Sequence, residues 1–158
     1  MGKVMSEYQA FLASKELRAE ARGMASIPPL AGHLFPFQAH CVEFALRAGA
    51  AGIFLDTGLG KTLIELEWCR HAAEASNGKA LILTPLAVAR QFEREARKFG
   101  YEARVIRDQS EAREGINICN YDRLDRLDPS VFGAVSLDEA SILKSFDGKT
   151  KQRLIEGF

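Results

Sequence analysis

The sequence predicts a three-layer α/β domain: a mostly parallel central sheet with helices on both faces. Two observations carry this. Short continuous apolar runs, Ile53-Phe54-Leu55 and Leu81-Ile82-Leu83, read as strands buried on both faces, which need no polar alternation. Between them lie stretches with apolar residues at helical spacing, set off by Gly, Pro and Asn-Gly. Strands alternating with amphipathic helices in this way imply a parallel sheet, whose ligands gather at the carboxyl ends of its strands.

Residues 6–22 predict one helix. Ser6 and Gln9 can form a capping box, Tyr8, Phe11, Leu12 and Leu17 give a partly apolar stripe, and Gly23 with Ile27-Pro28-Pro29 ends it. Residues 1–29 are therefore read as an N-terminal accessory helix and linker without chemistry of its own, and residues 30–158 as the main domain. Pro36 opens a second helix to about Arg47, with Cys41, Phe44 and Ala45 inward. After the strand at 53–55 comes a Gly-rich loop and a helix from about Gly60 to Ala75, stopped by Asn77-Gly78. A strand over 79–84 leads into a helix from Pro85 to Phe99, with Val88, Phe92, Ala96 and Phe99 on its apolar face. Further strands are expected at 104–106 and 116–119. A last one over 134–138 ends on acid.

Composition bounds the function. With 158 residues, 47% apolar and 27% charged, the chain suits one globular domain. Lys plus Arg number 21 and Asp plus Glu number 21, so bulk charge gives no attraction to nucleic acid, although a local basic face remains open. Cys41, Cys69 and Cys119 form no CxxC or zinc pattern and read as reduced core thiols of a cytoplasmic protein. No apolar run approaches the roughly 20 residues of a membrane span, and no membrane partner is expected.

The segment Leu55-Asp56-Thr57-Gly58-Leu59-Gly60-Lys61-Thr62 carries the chemistry. It follows a strand and opens a helix, the context in which a phosphate-binding loop works. Glycines let backbone N–H groups curl toward phosphate oxygens, and the helix turns its positive end to the same place. Thr57, Gly58, Leu59, Gly60, Lys61 and Thr62 are the expected nucleotide contacts. Lys61 would meet the terminal phosphates of ATP, and Thr62 would ligate Mg2+. Leu55 stands where the strict form of the motif has Gly. A phosphate loop also needs an acid for the metal and the water. Asp138-Glu139 supplies it at the end of a strand: Asp138 would hold magnesium and Glu139 would orient or deprotonate the attacking water. Alone, such a pair is usually a solvated turn.

Together these motifs resemble the first RecA-like lobe of superfamily 2 helicases, nearest to Snf2-like and phage-type DEAD/DEAH-related members. Gly58-Leu59-Gly60-Lys61-Thr62 resembles their motif I and Asp138-Glu139-Ala140-Ser141 their motif II. Leu34-Phe35-Pro36-Phe37-Gln38 is similar to a segment whose Gln reads adenine, which implies Gln38 as an adenine contact. Leu83-Thr84-Pro85-Leu86 resembles motif Ia, and Asn120-Tyr121-Asp122 the segment before motif II. The likeness spans about residues 30–150. It implies ATP and Mg2+ as cofactors, and a nucleic-acid track at Thr84, Asn120 and Tyr121, with DNA preferred over RNA. Lys144, Lys149 and Lys151 are a second candidate set for that track. The plainer alternative for Thr84 is a helix cap, and for the lysines a solvated face. Ser141 departs from the His or Asp of the family.

The resemblance also implies a second RecA-like lobe, absent from this chain, whose arginine stabilises charge on the γ-phosphate. Where such fingers are measured they contribute about 10³–10⁵ in rate. The sequence is thus read as the ATP-binding lobe of an ATP-dependent DNA helicase or translocase, binding ATP but hydrolysing it poorly alone. Two alternatives stand: the motor lobe of a restriction-type ATPase, and a non-catalytic nucleotide- or nucleic-acid-binding module acting through a partner chain. His33, His40 and His71 show no ligand spacing and read as surface or helix residues. Trp68 reads as core, and Glu65 and Glu67 as a solvated helix face. Phe35 and Phe37 either flank the adenine or pack in the core.

Overall fold

The computed structural model describes residues 23–49 and 60–139. The expected helix at 6–22, the strand at 53–55, and Thr57, Gly58, Leu59, Ala140, Ser141, Lys144, Lys149 and Lys151 lie outside the described residues. Within them the helices are α1 (Pro36–Ala48), α2 (Lys61–Glu74) and α3 (Leu86–Lys98). The strands are β1 (Lys79–Thr84), β2 (Ala103–Val105), β3 (Gly115–Asn120) and β4 (Ala134–Leu137). All pairings are parallel, in the order β2-β3-β1-β4.

β1 is central, and its sequence explains why. Residues Ala80 to Leu83 are fully buried, with Ala80 and Ile82 on one face and Leu81 and Leu83 on the other. The first face packs on Leu66 and Cys69 of α2 and Phe92 and Ala96 of α3. The second packs on Ile106, Tyr121, Leu124, Leu127 and Phe132. Both faces are covered, so the strand reads as one apolar run. α3 stops where the sequence demands it: Phe99 is the cap, Gly100 takes φ +80°, and the Tyr101 N–H reaches back to the Ala96 carbonyl at 2.8 Å. That is a Schellman closure, which L-residues with a Cβ adopt only under strain.

Several expectations about side-chain direction fail, because the phase of α1 and the cover around α2 depend on tertiary packing. Phe44 was expected inward but is exposed, and Cys41 is only partly buried. The inner row of α1 is Gln38, Val42, Ala45 and Leu46, a helical face whose first member is polar. Glu65 and Glu67, expected in solvent, are buried, and so is His71. α2 is packed on the sheet through Leu66 and Cys69 and on α1 through Ile64, so little of its circumference meets water. Trp68, expected in the core, is partly buried and bridges the two clusters. Cys69 and Cys119 are buried thiols. Among the described residues no helix is long and apolar enough to cross a membrane.

Candidate functional site

The register of the sheet brings the ends of β1, β3 and β4 side by side. Thr84 pairs with Asn120, and Leu83 with Leu137, so Asp138 follows β4 beside Thr84. Asp138 is a buried carboxylate held on every side. Its N–H donates to the Leu83 carbonyl at 2.8 Å, its Oδ2 accepts from the Thr84 hydroxyl at 3.0 Å, and its carbonyl accepts from the Tyr121 hydroxyl at 2.7 Å. Its Oδ1 faces Lys61 Nζ at 3.5 Å.

Lys61 opens α2 directly after Gly60, which has φ +70° as the cap of that helix. The first turn of α2 and its unpaired N–H groups are thereby aimed at the end of the sheet. Thr62 is the next residue of that turn and is half-buried. Gln38 reaches the same point from α1. Its Oε1 accepts from the Phe35 N–H at 2.9 Å, and its Nε2 donates to the Gly60 carbonyl at 3.4 Å. Glu139 is exposed with φ +52°, an uncommon backbone state for a residue other than Gly. The structure thus brings Gln38, Gly60, Lys61, Thr62, Asp138 and Glu139 to one edge of the sheet.

Two residues expected to touch nucleic acid are placed otherwise. Thr84 and Tyr121 are buried, and both hydroxyls are turned inward to Asp138, so neither side chain offers surface to a phosphate. Burial, followed by the charge of Asp138, pushes the Tyr121 hydroxyl up from its ordinary range. Asn120 is also buried, and its Oδ1 has no hydrogen-bond partner. Phe35 and Phe37, for which core packing was one alternative, are exposed, with near-parallel rings 6.4 Å apart beside Gln38.

Sequence reasoning missed three features. Glu65, one helical turn beyond Lys61, lies against β4 with Oε1 2.5 Å from the Ser136 hydroxyl. Burial, then the neighbouring Asp138 charge, raises its pKa to about 7, against the opposing pull of Ser136 and Lys61. Glu67 is fully buried and accepts from Tyr101 at 2.5 Å, Arg70 at 2.6 Å, His71 at 2.8 Å and the Ala31 N–H at 3.0 Å. Burial works against its charge. The bonds from Tyr101, Ala31, His71 and Arg70 outweigh that and hold its pKa below the usual value. His33 joins this cluster through the Tyr101 hydroxyl at 3.0 Å.

The third feature is a basic face. Arg90, Arg104, Arg107 and Arg113 line an open depression of about 790 Å³ with Glu111, beyond the carboxyl end of β2. A smaller one beside it is lined by Leu86, Arg90, Arg107, Asn120 and Arg123. Arg104, Arg107, Arg113 and Arg123 come from one stretch around β2 and β3, and Arg90 joins them from α3. The signal available in the sequence was the density of arginine between residues 104 and 126.

Solved structures share this fold. The SWI2/SNF2 ATPase core of Sulfolobus solfataricus in complex with dsDNA superposes with a TM-score of 0.63 at 23% identity, covering 82% of this chain. The UvsW helicase from bacteriophage T4 superposes with a TM-score of 0.64 at 19% identity, covering 98% of this chain. The fold is that of a RecA-like domain. It accounts for 31% of the first of those proteins and 57% of the second, so the chain spans less than two thirds of either. The resemblance of the sequence to superfamily 2 helicases therefore holds at the level of fold. No protein-family model and no curated protein matches the chain.

Proposed function

We propose that this lobe binds ATP with magnesium and serves as the nucleotide-binding half of an ATP-dependent motor acting on nucleic acid. The observation that carries the reading is the pairing of Lys61, at the start of α2, with Asp138, at the end of β4. A cation at a helix N-terminus and a buried carboxylate at the carboxyl edge of a parallel sheet are the two halves of a phosphate–metal site.

Without nucleotide each neutralises the other. Bound nucleotide would take Lys61 at its terminal phosphates, and Asp138 would then hold a hydrated cation. The electrostatics support this: Lys61 pairs with Asp138, and both charges act on the buried Glu65. The described residues contain no group of three or more side chains that closes around a metal. Magnesium needs none, since it is commonly held by one or two carboxylates with phosphate and water. Bound there with Thr62, it would neutralise charge on the phosphates. Glu139 would orient the attacking water, and Gln38, with its neighbours Phe35 and Phe37, would receive the adenine. Thr84 and Tyr121 tie Asp138 to the ends of β1 and β3, and the arginine face lies at the same ends of the sheet. That face is the proposed nucleic-acid track, with DNA as the preferred substrate, and a second lobe is the proposed partner for turnover. Phosphate contacts of this kind set register and affinity rather than sequence preference.

The test is binding of a fluorescent ATP analogue with and without magnesium, comparing the chain with Lys61→Ala. The reading expects saturable, magnesium-enhanced binding that the substitution weakens at least about a hundredfold, the loss of a charge-assisted contact of about 3 kcal/mol. Equal binding by the two proteins would sink it.

A further inference from the structure

Lys61 and Glu65 lie one turn apart on the same face of α2, and Ser136 and Asp138 two residues apart on the same side of β4. The helix and the strand therefore meet in two rungs. The outer rung is Lys61 to Asp138 at 3.5 Å, and the inner rung is Glu65 to Ser136 at 2.5 Å. The inner distance lies in the range of a hydroxyl donating to a carboxylate. It occupies only one oxygen of Glu65. The other, Oε2, is buried without any hydrogen-bond partner, on a residue that is 9% exposed.

A buried acceptor left open costs about 1–3 kcal/mol, more if it is charged, and native proteins fill nearly all of them. The groups that move its proton affinity by charge are Asp138 and Lys61, the two sides of the outer rung. Glu65 also sits one helical turn from Lys61 and is bonded to the strand that leads into Asp138, which puts the open oxygen next to that pair.

We propose that Glu65 is a positioning residue of the magnesium site, its open Oε2 accepting a hydrogen bond from a water of the metal's hydration shell while Oε1 keeps β4 seated on α2 through Ser136. This rests on the nucleotide reading of the site and deepens it. Magnesium gives up its waters reluctantly, so acceptors placed for those waters fix the ion as firmly as direct ligands do. Nucleotide that drew Lys61 outward would open the outer rung, and Glu65, still bonded to Ser136 through Oε1, would offer Oε2 to the cation's water.

The experiment titrates Mn2+ in place of magnesium, followed by its paramagnetic resonance signal, against the full chain at fixed ATP-analogue concentration and pH 8. Analogue affinity in the presence of a chelator is measured in parallel. Glu65→Gln keeps the size of the side chain and an acceptor for Ser136 but presents an amide where the second acceptor was. It is expected to bind the analogue without metal as the unsubstituted chain does, and to bind Mn2+ roughly tenfold more weakly. Glu65→Asp, which keeps a carboxylate, is expected to recover part of that loss. If Glu65 is only a prop between α2 and β4, Glu65→Gln will match the unsubstituted chain in both titrations, and the proposal is overturned. Equal weakening with and without metal overturns it as well. An unsubstituted chain whose analogue binding ignores Mn2+ overturns the nucleotide reading itself.

Discussion

Gln38 is wedged against Gly60. Its amide nitrogen donates to the Gly60 carbonyl at 3.4 Å, and a Cβ built at Gly60 would lie 2.1 Å from that nitrogen. The glycine is therefore needed twice, for φ +70° at the start of α2 and for the room that Gln38 occupies. Gly60→Ala is expected to destabilise the chain by about 1–3 kcal/mol and to weaken nucleotide binding. Adding Gln38→Ala should return the part due to the clash and leave the part due to φ. Urea denaturation of the two single variants and the double variant measures the coupling. Strict additivity would show that the two residues do not compete for the same space.

Glu65 predicts an unusual dependence of stability on pH. Its folded pKa, about 7, lies above the ordinary value of 4.5, so the folded chain holds this proton more tightly than the unfolded one. Its contribution is therefore complete below about pH 4.5 and is lost as pH rises through 7. A shift of this size corresponds to about 3 kcal/mol. Glu65→Gln, which stays neutral, should flatten the fall in stability of the metal-free protein between pH 5 and 8. Parallel stability curves for the two proteins over that range would contradict the assignment.

Glu67 works with the opposite sign. Its pKa is held below the ordinary 4.5 by Tyr101, Ala31, His71 and Arg70, so its contribution is present above that value and is lost as pH falls through the lowered one. Tyr101→Phe deletes one donor and leaves a buried carboxylate oxygen short of a partner. The expected cost is about 1–3 kcal/mol at neutral pH, shrinking in acid as Glu67 becomes protonated. Thermal denaturation at pH 7 and at a series of lower pH values, down to where the folded chain takes up the Glu67 proton, tests this, and a cost independent of pH over the whole series would mean that the hydroxyl acts only by packing.

The alternation of strands and helices was legible because each described strand is buried on both faces or flanked by turn residues. Expected and observed limits differ by a residue or two, as for β2, observed at Ala103–Val105. The approach of Lys61 to Asp138 was legible because the start of a helix and the end of a neighbouring parallel strand meet at the same end of the sheet. What was not legible was burial of charge. Glu65 and Glu67 look like an exposed helix face in one dimension, and only the cover of β4, α1 and the segment around Ala31 turns them inward. Thr84 and Tyr121 had polar groups in plausible places, but the parallel register directs both hydroxyls to Asp138.

The arginine face yields the last prediction. Arg107 and Arg123 line the depression that also reaches Asn120 at the end of β3, and Arg107 is shared by both depressions. If a nucleic-acid backbone runs there, each arginine that meets a phosphate releases counterions. Affinity should then fall with salt, by a slope of about 0.9 in log units per contact for duplex DNA and about 0.7 for a single strand. Arg107→Ala combined with Arg123→Ala is expected to weaken binding uniformly across sequences and to reduce the salt slope by roughly 2, one for each contact removed. The same substitutions should leave nucleotide binding unchanged, because neither residue touches the Lys61–Asp138 pair. Fluorescence anisotropy with labelled duplex and single strands over a range of salt reads both quantities. An unchanged slope would move the track away from this face, whatever the loss of affinity.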